Sequence, residues 1–264
     1  SVELQRGGET LRIHAKLFVL SAGAINSALI LLRSTDAAHP QGLANRSGVV
    51  GRYLMNHHLT GLMGLMPGVN ATRFPKTLSV NDFYHGLPGD PAARGNIQML
   101  GKIQGPMIRA TYPWMPRPLA NLLGRHSVDW LCMSEDLPRP ESVVRPLPDG
   151  GVEVAYHPGD RPAHDRFVRH VRSRLRRIFP LVLRHDFGIE APSHQCGTVR
   201  MGADPATSAL NAMCRAHDHP NLHVVDAGFF PSSAALNPAL TICAQALRVG
   251  RHLRDAWRTD RHPT

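Results

Sequence analysis

The sequence predicts a mixed α/β protein in which two α/β segments flank a more antiparallel middle, and three observations carry that reading. Residues 11–20, "LRIHAKLFVL", have the branched and aromatic content of a strand, and Gly23 then allows a sharp turn into the helix-like "AINSALILLRS". Residues 66–160 are rich in Pro and Gly and carry short strand-like pieces such as "WLCMSEDL" and "GVEVAYHP". The α/β texture returns with "NLHVVDAGFF" at 221–230, read as a strand, and "NPALTICAQALRVGRHLRDAW" at 237–257, read as a long helix. These shifts place boundaries at residues 1–58, 59–190 and 191–264, with the outer two expected to pack together and the middle to form its own sheet.

Each element has a local reason. The turn around Gly23 and Ala24 carries only small side chains, so a ligand or a neighbouring backbone can come close there. The basic run "DRFVRHVRSRLRRIFPLVLRHDF" at 165–187 sets Phe167, Val168, Val171 and Leu175 at helical spacing with arginines between them, a helix with one solvated face. In the last helix Asn237 is a good N-cap, and Pro238 suits the first helical position because its φ is fixed and no amide hydrogen is needed there. The same geometry presents free N–H groups and partial positive charge, which suits a negatively charged ligand group.

Composition excludes several classes. The 264 residues can bury a substantial core. The net charge of +10 comes almost wholly from arginine, since only Lys16, Lys76 and Lys102 are lysines. Those charges are spread along the chain and aromatics make up only 6%, which argues against a nucleic-acid partner. The longest apolar stretch, residues 17–32, is too short and too broken for a membrane span, so no transmembrane segment is expected. The cysteines at 132, 196, 214 and 243 form no C-x-x-C pair and read as free thiols, which leaves cytoplasm and periplasm both open. A metal module of His194, Cys196, Cys214, His217 and His219 is weakly supported, because His194-x-Cys196 is not a common zinc half-site; no metal is expected.

In order, "AKLFVLSAGAINSALILLRS", "VGRYLMNHH", "HQCGTVRMGADPATSAL" and "RAHDHPNLHVVDAGFFPSSAALNPALTICAQALRVG" resemble the carboxy-terminal half of the glucose–methanol–choline family of FAD-dependent oxidoreductases. The H-x-x-G-T-x-R-M-G block, the N-L-x-V-x-D strand and the N-P-x-x-T helix start are the specific parts, and residues 66–190 match only loosely. "TVRMG" is similar to the sugar- and sugar-acid-oxidising branch. The resemblance implies a partial FAD-binding, Rossmann-like domain (1–58 and 191–264) with an inserted antiparallel-sheet substrate domain (59–190). It implies hydride transfer from the CH–OH group of a small alcohol, sugar or sugar acid to flavin N5.

One departure is large. The family's G-x-G-x-x-G loop, which holds the FAD pyrophosphate, occurs nowhere in these residues. The chain also opens without a methionine directly into strand-like sequence. It reads as part of a longer protein, or as a split-gene or inactive half needing an amino-terminal partner; an electron-acceptor protein is a further possible partner. Residues 1–264 alone are expected not to retain FAD.

Carried over by residue, the resemblance makes His194 the active-site histidine and Asn237 its partner, 43 residues on. The types suit the chemistry: an alkoxide expels hydride far more readily than a neutral alcohol, and imidazole, with an ordinary pKa of ~6.5, is matched to take the hydroxyl proton. Asn237 can donate an amide N–H to the alcohol oxygen without carrying charge. The resemblance also implies cofactor contacts at Gly23 and Ala24 (adenosine end), at Asn56, where the family often has an acidic or amide residue, at Asp226 and Ala227 (pyrophosphate and ribityl chain), and at Pro238 and Thr241 (flavin pyrimidine edge).

Overall fold

The computed structural model describes residues 1–74, 76–188 and 194–259. A hairpin of β1 (Val2–Arg6) and β2 (Glu9–Ile13) comes first, followed by β3 (Phe18–Leu20) and α1 (Gly23–Arg33). The strand expected over 11–20 is therefore two strands. β2 pairs back on β1, whereas β3 pairs in parallel with β11 (Leu222–Val224), so the chain must turn between the two partners. The strand expected over 221–230 likewise stops early, because the Asp226 side chain accepts the Gly228 N–H at 2.8 Å and caps a short 3-10 turn, Ala227–Phe229.

The middle is built on one antiparallel sheet. β4 (His58–Leu65), β5 (Ser79–Val80), β6 (Asn96–Met99), β7 (Ser127–Ser134) and β10 (Leu181–Phe187) assemble in the order β10-β4-β7-β6-β5. Two short helices, α2 (Gly105–Thr111) and α3 (Arg117–His126), lie between β6 and β7, and the hairpin β8 (Val143–Pro146) with β9 (Val152–Ala155) follows. α4 (Arg161–Leu175) buries Phe167, Val168, Val171 and Leu175, the face its spacing predicts. The basic run is nonetheless not one helix: α4 ends before Pro180, whose ring cannot continue a helix, and the rest of the run becomes the edge strand β10. The four cysteines are free, and only Cys243 is exposed.

Among the described residues two large apolar clusters organise these elements, and a small third one of Leu29, Leu54 and Val144 packs β8 against α1. Ala28, Leu31, Met55, Val199, Leu210 and Phe229 belong to one, drawn from residues 28–55 and 196–249. Leu62, Ile97, Cys132, Phe167, Val171 and Val182 belong to the other, drawn from residues 62–182. The distant ends of the first cluster are tied by polar contacts as well: Asp226 Oδ2 accepts from the Gly23 N–H at 3.1 Å and from Ser27 Oγ at 2.5 Å.

α5 (Ala239–Arg258) starts later than the sequence predicts. Pro238, not Asn237, occupies the cap position, and no side chain caps the helix. The Asn237 amide is drawn away from the helix by two other partners, described below.

Candidate active site

The segment 194–201 threads between two others. Met55 and Cys196 exchange both backbone hydrogen bonds, at 2.9 and 3.0 Å, and on its other side Gly197, Val199 and Met201 donate to the carbonyls of Ala227, Gly228 and Phe229. Gly197 is required at this crossing: its φ is +92°, and a Cβ there would lie 2.5 Å from the Tyr53 carbonyl oxygen and from Met55 Cε. Gly23 has a similar φ of +84° but open space where a Cβ would stand. Gly197→Ala is thus expected to cost roughly 2–4 kcal/mol, strain plus overpacking, and Gly23→Ala only about 1 kcal/mol from the left-handed backbone. Urea denaturation checks this; equal losses would mean that the contacts around Gly197 yield freely.

The crossing places His194 beside His57, and their Nδ1 atoms are 2.8 Å apart. Hydrogen-bond logic assigns the protons. His57 Nε2 lies 2.9 Å from the Ser233 carbonyl oxygen, which can only accept, so Nε2 carries the hydrogen. Burial foremost pushes His57 down to about 4, against which the Ser233 carbonyl acts, so the ring is neutral at pH 7 and its Nδ1 is a bare lone pair. His194 must then donate from Nδ1, which leaves the lone pair of its Nε2 free.

That lone pair faces Asn237. Asn237 Nδ2 is 3.4 Å from His194 Nε2, and Gln98 Nε2 donates to Asn237 Oδ1 at 2.9 Å, which orients the amide with its N–H groups toward the histidine. Burial, and secondarily the charge of Lys76, hold His194 below the ordinary histidine range, so it too is neutral at pH 7. His194 is half-buried and Asn237 exposed, so the pair is reachable from outside. His194 has φ +82°, a conformation uncommon for a residue with a side chain and one that concentrates at functional sites.

Behind the pair, Asp136 holds the carbonyl that orients His57. Its carboxylate accepts from the Asn56 N–H (2.9 Å), Tyr156 OH (2.8 Å) and the Gly159 N–H (2.7 Å), while its backbone exchanges hydrogen bonds with Ser233 Oγ. Sequence reasoning singled out none of His57, Gln98, Ser233 or Asp136. His57 stood inside the "VGRYLMNHH" block and could have been found there; Gln98 lies in the loosely matching middle, where no motif marked it.

The other sequence-predicted positions fall into two groups. Asn56 adjoins His57 and is buried, its Oδ1 without a hydrogen-bond partner. Pro238 and Thr241 lie at the start of α5 beside Asn237, and Thr241 is exposed. Gly23, Ala24, Asp226 and Ala227 gather at the β3–α1 turn, where the Ala24 carbonyl accepts from Thr198 Oγ1 at 2.5 Å and the Asp226 carboxylate is engaged by three internal donors. Among the described residues no group of three His, Cys, Asp or Glu side chains could hold a metal ion. His217 instead bonds Ser208 and Cys214 accepts from Gln245.

The arrangement is a neutral imidazole whose Nε2 lone pair faces a fixed amide. Residues 145–246 match the family model described as GMC oxidoreductase, and the chain belongs to that family. It is 31% identical to 2-methyl-1,2-propanediol dehydrogenase of Mycolicibacterium austroafricanum, a match covering 94% of this chain and 49% of that protein. It is 29% identical to 6'''-hydroxyparomomycin C oxidase of Streptomyces lividus, covering 96% and 47%. The fold resembles that of pyridoxine 4-oxidase from Mesorbium loti, with a TM-score of 0.62 at 20% identity over 96% of this chain and 54% of that one. The chain spans about half the length of the curated relatives it matches.

Proposed function

We propose that this chain supplies the alcohol-activating half of an FAD-dependent oxidoreductase acting on the CH–OH group of a small alcohol, sugar or sugar acid. The observation that carries the proposal is the free lone pair of His194 Nε2 held against the Asn237 amide. In this reading residues 1–58 and 191–264 belong to a Rossmann-like cofactor domain and residues 59–190 form an inserted substrate domain; the two large apolar clusters support that division, and Leu29, Leu54 and Val144 pack across the boundary. The phosphate-cradling loop would come from polypeptide beyond these residues.

The residues present fit a flavin. The exposed first turn of α5 leaves helix N–H groups free beside His194, Gly23 leaves open space at a tight turn, and Asn56 Oδ1 is a buried acceptor without a partner. Asn237, Pro238 and Thr241 would hold the ring's polar edge, and Gly23, Ala24, Asp226 and Ala227 the chain leading from it, with Asp226 acting by fixing the Gly23 turn. When bound, FAD supplies the two-electron acceptor for the hydride that leaves the alcohol carbon.

The chain's own residues do the rest. His194 Nε2 takes the hydroxyl proton as the C–H bond gives up its hydride, and the alcohol becomes the carbonyl. Asn237 Nδ2 donates to the oxygen and needs no change of charge. His57 keeps the His194 Nδ1–H engaged throughout, so the imidazole neither rotates nor switches tautomer. It is a positioning residue.

The test is anaerobic stopped-flow reduction of the complete protein's flavin, first by alcohols and sugars and then in Asn237→Ala. The variant should reduce roughly 2–10-fold more slowly, the worth of one hydrogen bond, and its thermal midpoint should fall only by what the Gln98 bond contributes, because Asn237 does not cap α5. A lowered midpoint with an unchanged rate would assign Asn237 to structure. A flavin that no CH–OH compound reduces would overturn the proposal.

A further inference from the structure

The antiparallel sheet has one end beside the candidate site and one end far from it. β4 begins next to His57, and at its far end Leu65 stands between Ser127 of β7 and Leu181 of β10. At about 3.4 Å per residue, the strand sets that end roughly 24 Å from His58. Three connections meet there. The one after β4 and the one from α3 into β7 run side by side, since the Met66 N–H donates to the His126 carbonyl at 2.9 Å and the Asn70 N–H to the Arg125 carbonyl at 2.8 Å. The turn from α4 into β10 is the third.

All three expose aliphatic side chains. Ile178 is 72% exposed, Leu122 53%, Val69 50% and Leu181 47%. Arginines stand among them: Arg125 follows Leu122 at i+3 on α3, and Arg174, Arg176 and Arg177 precede Ile178. The basic run contains two kinds of arginine. Arg166 and Arg184 are held by Asp90 and by Asp165 with Asp186, and Arg172 donates to the Val182 carbonyl, whereas Arg125, Arg174, Arg176 and Arg177 have no ion pair among the described residues. Nor do the surrounding stretches supply a counter-charge, because no Asp or Glu occurs in residues 61–81, 91–128 or 166–185.

We infer that this end of the sheet docks on an anionic lipid bilayer. Val69, Leu122, Ile178 and Leu181 enter the boundary between headgroups and acyl chains, and the four free guanidinium groups lie against lipid phosphates. The mixture of side chains selects this partner. A second copy of the chain would set the same unpaired charges against these. Protein interfaces have cores depleted of charge and enriched in aromatic rings, but here arginines are interspersed with purely aliphatic groups. An acidic polymer would neutralise the arginines and leave the aliphatic groups in water. A bilayer surface satisfies both at once. With 10 residues α3 is too short to span, so the contact is with one leaflet.

Vesicle sedimentation of the complete protein tests this without reference to flavin chemistry. The protein should pellet with mixed phosphatidylcholine–phosphatidylglycerol vesicles and not with phosphatidylcholine alone, and added salt should weaken the binding. Arg176→Gln with Arg177→Gln should weaken it roughly 25-fold, about fivefold for each lost charge, and Ile178→Asp at least tenfold. These positions are exposed, so the urea midpoint of each variant should hold. In Ile178→Trp, the emission of the new ring should shift to the blue when anionic vesicles are added. Equal pelleting with both kinds of vesicle, or anionic binding that these variants leave unchanged, would overturn the inference. So would a Trp at 178 already shielded from iodide without vesicles, which would mean that other polypeptide covers this end. Binding to polyglutamate that Ile178→Asp does not weaken, with no binding to vesicles, would assign the surface to an acidic protein instead.

Discussion

Replacing His194 by alanine in the complete protein is expected to slow flavin reduction by substrate roughly 10²–10⁴-fold, the usual contribution of a positioned general base. FAD should stay bound, because the imidazole is oriented by His57 and Asn237 and not by a cofactor contact. The pH dependence follows from the same geometry. Only neutral imidazole can take the proton, so the reductive rate of the unmodified protein should rise with pH and level off. Burial and Lys76 hold His194 below the ordinary histidine value, so the midpoint of that rise should come below about pH 6.5. The alanine variant should lose the dependence altogether. An unchanged stopped-flow rate in His194→Ala would place the base elsewhere.

Acid should unfold this protein early. His57 and His223 are pushed down to about 4, and His164 to about 2, from an ordinary value of 6.5, in each case chiefly by burial. The unfolded chain therefore takes up protons below pH 6.5 that the folded chain refuses. The stability these neutral histidines contribute is complete above pH 6.5 and is lost as pH falls; His57 and His223 stop contributing to the slope near pH 4, and His164 only near pH 2. Each gives about 1.4 kcal/mol per pH unit, so His57 and His164 together remove roughly 3 kcal/mol per unit. Against a typical total of about 5–15 kcal/mol, that brings unfolding within reach of pH 4–5. The urea midpoint should be level between pH 7 and 8 and drop steeply from 6.5 to 5; a midpoint at pH 5 equal to that at pH 7.5 would mean that these rings are solvated.

Legibility of the fold follows the range of the interactions. The buried face of α4 could be read from residues four apart, because Phe167, Val171 and Leu175 meet within one helix. The turn into α1 could be read from Gly23 and its neighbours. What failed was anything decided by a distant partner. β2 and β3 look like one strand until β1 and β11 claim them separately, and "NLHVVDAGFF" looks like one strand until Asp226 folds back on Gly228.

The candidate site divides the same way. His194 and Asn237 were visible as residue types in ordered blocks, and they lie 3.4 Å apart. Asn237 also has the composition of a helix cap, and only Gln98, 139 residues earlier, shows why it does not act as one. His57 decides which His194 nitrogen is bare, yet nothing local distinguishes it from His58 beside it. The difference is one of direction: alternate residues of an extended segment face opposite ways, so His57 reaches Ser233 and His194 while His58 lies against Asp136 and His164.

Nitrogen-15 NMR of the histidine-labelled protein at pH 7.5 tests the central claim most directly, since it reports which ring nitrogen holds the proton. His194 should show a protonated, pyrrole-like Nδ1 and a bare, pyridine-like Nε2, with His57 the reverse, bare at Nδ1 and protonated at Nε2. A His194 protonated at Nε2 would have no lone pair facing Asn237, and could not be the base that opens the alcohol O–H bond.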